Sequence, residues 1–206
     1  MSRKITKIIP QRNKRRLNIY LDGKFGFGFD LENYIKSKIY VGTELSEGEI
    51  SELKKGDDYK KYSDNLLRFA TLRPRSKQEI NFWFVRKKVN PLHQNELLKK
   101  LEKLDLVNDE NFAKWWVDQR LQFKSKSKRE LVQELRNKGI EGKVIEQVLS
   151  ESDLDEFKSV KRLVEKNSYR WSLLPKKEAR QKMQIFLARK GFGWDVIKKT
   201  VKELED

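Results

Sequence analysis

Between Lys124 and Ile140 the apolar positions Leu131 and Leu135 stand four apart among charged and polar neighbours, the narrow stripe of a helix that buries one side. Ser127 and Glu130 have the spacing of a reciprocal N-terminal cap. Lys138-Gly139-Ile140 reads as the stop, because glycine takes the left-handed turn cheaply and the next apolar residue folds back on the last turn. Val144, Ile145, Val148 and Leu149 then open a second helical face. The pattern occurs twice more. Ser76 and Glu79 precede Ile80, Trp83 and Phe84, with Val89 in the place of Ile140 and Lys88 in the place of the glycine. Ala179 to Phe192 carries Met183, Phe186 and Leu187, ends in Lys190-Gly191-Phe192, and is followed by Val196, Ile197 and Val201. Ser76 to Ser127 spans 51 positions and Ser127 to Ala179 spans 52, the period of a helical repeat.

A further helix precedes each copy: Asp57 to Leu72, with Tyr59, Tyr62, Leu66, Phe69 and Ala70 on one side, then Asn108 to Leu121 and Asp153 to Asn167. The expectation is three tandem three-helix units, 57–107, 108–152 and 153–206, stacked into an elongated curved array because small units gain stability from their neighbours. Unit one continues through Leu97, Leu98, Leu101 and Leu104 after a loop holding Pro91 and His93, and unit three has a longer break at Pro175. Trp83, Trp115 and Trp194 fall on apolar stripes and are expected in the core; Trp116 lies one step round from Trp115, so one of that pair is expected to reach a unit boundary or a partner surface.

Residues 1–56 follow a different period. Leu17, Ile19 and Leu21 alternate, as do Phe25, Phe27 and Phe29, with Asp22-Gly23 between. A single buried face selects a three-residue loop, Asp22 to Lys24, pairing Leu21 with Phe25, Ile19 with Phe27 and Leu17 with Phe29. Ile5, Ile8 and Ile9 suit a third strand, with residues 10–14 as the turn. Ser46 and Glu49 cap a short helix through Ile50 and Leu53 that stops at Gly56. The fold class is therefore mainly α, with a small N-terminal hairpin-containing module.

Charge changes the picture from scaffold to binder. Of 206 residues, 47 are Lys or Arg and 31 Asp or Glu, a formal net charge of +16, which predicts an anionic partner. The chain has no cysteine and no apolar run near membrane-span length, and residues 1–16 are too polar for a secretory signal, so a cytoplasmic protein without disulfides or thiolate metal sites is expected. Cations collect where each middle helix begins: Arg73, Arg75 and Lys77; Lys124, Lys126, Lys128 and Arg129; Lys176, Lys177, Arg180 and Lys182. Cations oppose the dipole there, so stability does not favour them, whereas an anion would be held by helix end and side chains together. Arg86, Lys87, Lys88, Arg136, Lys138, Arg189 and Lys190 sit in C-terminal turns, where the dipole already explains them. The single histidine, His93, has no second imidazole or cysteine near it, Gly26 and Gly28 lead into no Gly-Lys-Ser/Thr, and the acids near Asp109 and Asp155 suit helix caps. No catalytic residue, metal or cofactor is assigned.

Four segments carry a family likeness: Leu72-Arg-Pro-Arg-Ser-Lys-Gln-Glu-Ile80; Val107-Asn-Asp-Glu-Asn-Phe-Ala113 with Trp115 to Arg120; Lys128-Arg-Glu-Leu131 with Arg136-Asn-Lys-Gly-Ile140; and Arg189-Lys-Gly-Phe192 with Val196-Ile197. In this order and spacing, from residue 57 to the end, the chain resembles the RecX family, regulators of the bacterial RecA recombinase, and the strand module resembles more loosely an extension found on some members. Lys88 and the region of Pro91 depart from the pattern and bear on the geometry of unit one. The resemblance implies a monomer that lies along the groove of a RecA filament on single-stranded DNA, bridges protomers, and hinders strand exchange and ATP turnover. Contact with single-stranded DNA, with duplex DNA a further candidate, would be auxiliary. The competing reading is a helix-turn-helix-like DNA-binding regulator or architectural protein.

Overall fold

In the computed structural model, which describes residues 2–12 and 14–203, the chain divides into two compact units, Met1–Phe69 and Ala70–Asp206. The first holds an antiparallel four-stranded sheet of order β3-β2-β1-β4, formed by β1 (Ser2–Pro10), β2 (Arg16–Leu21), β3 (Lys24–Asp30) and β4 (Glu44–Ser46). Its buried face is Ile5, Leu17, Ile19, Leu21, Phe27, Phe29 and Leu45, closed by Ile39 and Ile50. Of the expected turn at 10–14, Asn13 lies outside the described residues.

The hairpin keeps the expected facing of its inner residues but not the expected three-residue loop. Leu17 faces Phe29 and Ile19 faces Phe27 as expected, but the tip is a two-residue turn, with Asp22 and Gly23 at φ 49° and 81° and Leu21 opposite Lys24. The ladder shifts between Ile19 and Tyr20, and Tyr20 pairs with Phe25, so Gly26 is the extra residue of a bulge. Phe25 is consequently exposed and leaves the core expected for it, and a Cβ on Gly26 would meet the Leu21 side chain at 2.8 Å.

Two elements had no sequence signal: α1 (Leu31–Ser37), capped by Asp30, and the short β4. The cap at Ser46 forms in both directions, Glu49 N–H donating to Ser46 Oγ at 3.2 Å and Ser46 N–H to Glu49 Oε2 at 2.8 Å. The stop expected at Gly56 does not form. Instead α2 runs unbroken from Glu47 to Thr71, and Asp57 is a buried anchor rather than a cap, accepting from Arg16 at 2.6 Å and from the Asp30 N–H at 2.7 Å. That tether holds the helix where a mid-helix glycine costs about 1 kcal/mol relative to alanine.

The second unit is helical: α3 (Lys77–Lys87), α4 (Pro91–Lys103), α5 (Asp109–Phe123), α6 (Lys128–Asn137), α7 (Gly142–Glu151), α8 (Glu156–Asn167), α9 (Lys176–Arg189) and α10 (Trp194–Glu203). Phe112, Val117, Leu131, Leu135, Ile145, Val148 and Leu149 fill the core of α5, α6 and α7, and Val160, Val164, Leu187, Ile197 and Val201 that of α8, α9 and α10. Pro91 and His93 lie in the first turn of α4, not in a loop, because Asn90 caps a helix whose N1 proline needs no donor. Trp194 is exposed, contrary to expectation, and Trp171, on the turn before Pro175, is the tryptophan that enters the core of unit three. No described helix is long and apolar enough to cross a membrane.

Candidate partner interface at the repeat junctions

The three middle helices, α3, α6 and α9, meet end to end. Gly139, just past α6, lies so close to α3 that an added Cβ would come within 2.8 Å of the Gln78 side chain, and Gly191, just past α9, would bring one within 2.9 Å of Ser127 Oγ. Both glycines are left-handed, at φ 78° and 82°, so each is required twice over, for its turn and for this approach. Lys88 adopts the same conformation at φ 52° with a side chain. It ends the first copy, which has no preceding three-helix unit whose middle helix would need such contact.

Ser127 joins two helix ends through one hydroxyl: it accepts from the Glu130 N–H at 3.1 Å and donates to the Lys190 carbonyl at 2.7 Å. An orphan donor of α6 and an orphan acceptor of α9 are thereby satisfied together. The N-termini of α3 and α6 also receive an anion from the chain itself. Asp109 Oδ1 accepts the Lys77 N–H, and Glu156 Oε1 the Lys128 N–H, each at 2.8 Å. These acids open α5 and α8, the first helix of the following unit, so the helix-end anion sites read from sequence are partly filled from within.

At the first junction the side chains are also neutralised. Glu79, 11% exposed, takes a two-pronged contact from Arg73 at 2.8 and 3.0 Å and a third from Lys138 at 2.8 Å, with Arg75 at 3.9 Å. Arg73 lies 5.2 Å from the Trp115 ring centre, and Trp116 is flanked by Arg120 at 4.1 Å and Lys138 at 4.9 Å. The Trp116 N–H and Arg120 share Glu134, at 2.8 and 2.6 Å, and Lys126 reaches Glu134 at 3.1 Å and Glu130 at 3.3 Å. Burial pushes the Glu79 carboxyl up, but the contacts from Arg73 and Lys138 prevail and hold it below the ordinary carboxylate range. Glu134 is lowered in the same way, burial being outweighed by Arg120, Trp116 and Lys126. Burial and the nearby Arg73 press Arg75 down, against the pull of Glu79.

The second junction repeats the backbone but not the filling. Arg162 and Leu163 stand six and seven residues past Glu156, where Trp115 and Trp116 stand past Asp109. An open cleft of about 480 Å³ results, lined by Phe123, Lys124, Lys126, Glu130, Arg162, Leu163, Lys166 and Lys190 among others. Glu130, the counterpart of Glu79, is its acid, and Lys126 pairs with it. Lys124, Arg162, Lys166 and Lys190 carry no ion pair among the described residues.

The cations singled out from sequence thus fall into two groups. Arg73, Arg75, Lys77, Lys126 and Lys182 hold carboxylates of this chain, Lys77 pairing with Glu102 at 3.0 Å and Lys182 with Glu178 at 2.7 Å. Arg180 is exposed and has a contact of its own. Lys124, Lys128, Arg129, Lys176 and Lys177 are exposed and carry no ion pair among the described residues. The sequence reading missed Phe123, Arg162 and Lys166, and left Lys190 to the dipole. The legible signal was the substitution of Arg162 for a tryptophan at a repeating position.

Comparison with known proteins gives a consistent answer along the chain. The domain described as "Regulatory protein RecX N-terminal domain" matches residues 3–46, "RecX, second three-helix domain" matches 108–149, and "RecX, third three-helix domain" matches 154–201. A protein named regulatory protein RecX from Bacillus pumilus is 35% identical over 208 residues, covering 98% of this chain and 78% of its own. The protein of the same name from Bacillus subtilis is 34% identical over 203 residues, covering 98% and 77%. A crystal structure described as regulatory protein RecX superposes with a TM-score of 0.68 at 29% identity, covering 96% of this chain and 98% of that one. The RecX structure from Lactobacillus salivarius gives 0.63 at 26% identity, covering 73% and 98%. These relatives are named as regulators, not as enzymes.

Proposed function

Because the chain belongs to the RecX family of regulatory proteins, we propose that it is a regulator, mainly negative, of the RecA recombinase. Its repeats, taken as 57–107, 108–152 and 153–206, seat in the groove of the RecA filament on single-stranded DNA, bridge protomers, and slow strand exchange and ATP turnover. DNA contact is auxiliary, and neither catalysis nor a cofactor enters the reading. The observation that supports it is the set of exposed cations without an ion pair among the described residues: Lys124, Lys128 and Arg129 around one middle-helix start, Lys176 and Lys177 at the next. A filament groove offers both acidic side chains and phosphates to such a surface.

The test is addition of this protein to preformed RecA filaments. ATP hydrolysis and strand exchange should slow, and unaltered rates at saturating protein would remove the proposal. Reversal of Lys124, Lys128 and Arg129 to glutamate should weaken filament binding and flatten its salt dependence, since these cations carry no ion pair among the described residues; the Arg129 stem lies beside Gly191, so a Lys124 and Lys128 double variant serves as the control for folding. Lys126 is excluded from this variant because Glu130 and Glu134 hold it.

A further inference from the structure

The four cations at the second junction belong to three different segments. Lys124 follows α5, Arg162 and Lys166 lie one turn apart on α8, and Lys190 caps α9. At the first junction the corresponding space is filled by two indoles, and its cations are held by two glutamates. Here the indoles are gone, Glu130 is engaged by Lys126, and the remaining positive charge faces an open cleft. The cleft's own acid is Glu130, one carboxylate against Lys124, Arg162, Lys166 and Lys190 in addition to the Lys126 that pairs with it, and the surplus of positive charge favours an anion from outside. At the rim stands Phe123, 71% exposed although the helix it ends contributes Phe112 and Val117 to the core. An aromatic face beside a cluster of cations is the pairing that binds unstacked nucleic acid, the cations taking phosphate and the ring taking a base. A cleft of about 480 Å³ lies within the ~300–1,000 Å³ typical of small-ligand sites.

We infer that the cleft between α5, α8 and the end of α9 is a nucleotide subsite for single-stranded nucleic acid, in which Arg162, Lys166, Lys124 and Lys190 hold backbone phosphate and Phe123 stacks on a base. Single strand is favoured over duplex because only an unpaired, unstacked base offers its face to Phe123. The inference deepens the DNA contact of the proposed function and rests on that reading only for the source of the strand.

The experiment uses the full chain without recombinase and follows fluorescence anisotropy of a labelled oligo-dT, an abasic phosphodiester strand of equal length, and a duplex. Phe123→Ala should weaken oligo-dT binding roughly 5- to 150-fold, leave binding of the abasic strand unchanged, and leave the salt slope unchanged. Phe123→Trp should restore or tighten the oligo-dT complex. Arg162→Gln with Lys166→Gln should weaken the oligo-dT and abasic complexes alike and lower the salt slope by about 0.7 for each phosphate that is no longer neutralised. Equal affinity of the wild-type chain for oligo-dT and abasic strand overturns the subsite, as does unchanged oligo-dT affinity in Phe123→Ala. RecA ATPase measured in parallel separates the two readings. Loss of oligo-dT affinity in Phe123→Ala, beside a wild-type chain that leaves RecA turnover untouched, supports the subsite and removes the filament role. Unchanged oligo-dT affinity beside slowed turnover does the reverse.

Discussion

The two junctions of the helical array share one backbone plan and differ in how their charge is balanced. At each, a glycine closes one middle helix against the start of the preceding one, and an acid from the next unit caps that start. At the first, Trp115, Trp116, Glu79 and Glu134 surround and neutralise Arg73, Arg120 and Lys138. At the second, Arg162 and Leu163 replace the indoles, and Lys124, Arg162, Lys166 and Lys190 remain around open space. Lys124 and Lys190 stand where Arg73 and Lys138 stand, but with the two indoles replaced by Arg162 and Leu163 they carry no ion pair among the described residues, whereas Arg73 and Lys138 share Glu79.

The contrast is broken most strongly at Glu79. Glu79→Gln leaves Arg73 and Lys138 facing a neutral group in a half-buried setting and should cost about 2–3 kcal/mol by urea denaturation, below the full value for a deeply buried pair because both cations are partly exposed. Glu130→Gln should cost under about 1 kcal/mol, since Lys126, its ion-pair partner among the described residues, is shared with Glu134. Equal losses would mean that the junctions are alike. The pH dependence follows from the lowered Glu79 carboxyl. Its contribution is complete above the ordinary carboxylate range and disappears as pH falls through the folded-state value, so the wild-type advantage over Glu79→Gln should shrink on acidification and persist at neutral and alkaline pH.

Gly139→Ala and Gly191→Ala should each destabilise by about 1–2 kcal/mol from the left-handed backbone alone, with the contacts at 2.8 and 2.9 Å adding to it. Lys88→Gly should act in the opposite direction, raising stability by up to about 1 kcal/mol through relief of the same strain. A neutral or harmful Lys88→Gly would show that the first copy is also under a packing constraint. Asp109→Ala and Glu156→Ala should cost about 1 kcal/mol each in thermal denaturation, as for loss of an N-terminal cap.

What was legible in the sequence was what short-range chemistry decides. Ser46, Ser76 and Ser127 cap the helices that follow them, Gly139 and Gly191 end theirs, and Leu17, Ile19, Phe27 and Phe29 share a buried face. The family likeness was legible because these local signals recur in a fixed order. The hidden features depend on distant partners. Gly56 looked like a stop until Asp57 proved to be tied to Arg16 and Asp30, and the Gly26 bulge arises from fitting a two-residue turn to one buried face. Lys138 looked explained by its helix end because Glu79, the acid it shares with Arg73, lies 59 positions away along the chain. The composition of the cleft was hidden for the same reason, although the exchange of Trp115 for Arg162 was open to inspection.

The end-to-end meeting of the middle helices has an electrical consequence. Where α6 meets α3, and α9 meets α6, a negative terminus abuts a positive one, and roughly half an elementary charge at each cancels its neighbour. Two poles are left over, a positive one at Lys176 and a negative one at Lys88. Unpaired poles therefore stand only at the two extremities, and an anion drawn by a bare helix start is met at Lys176 rather than at either internal contact, within about one turn of that end.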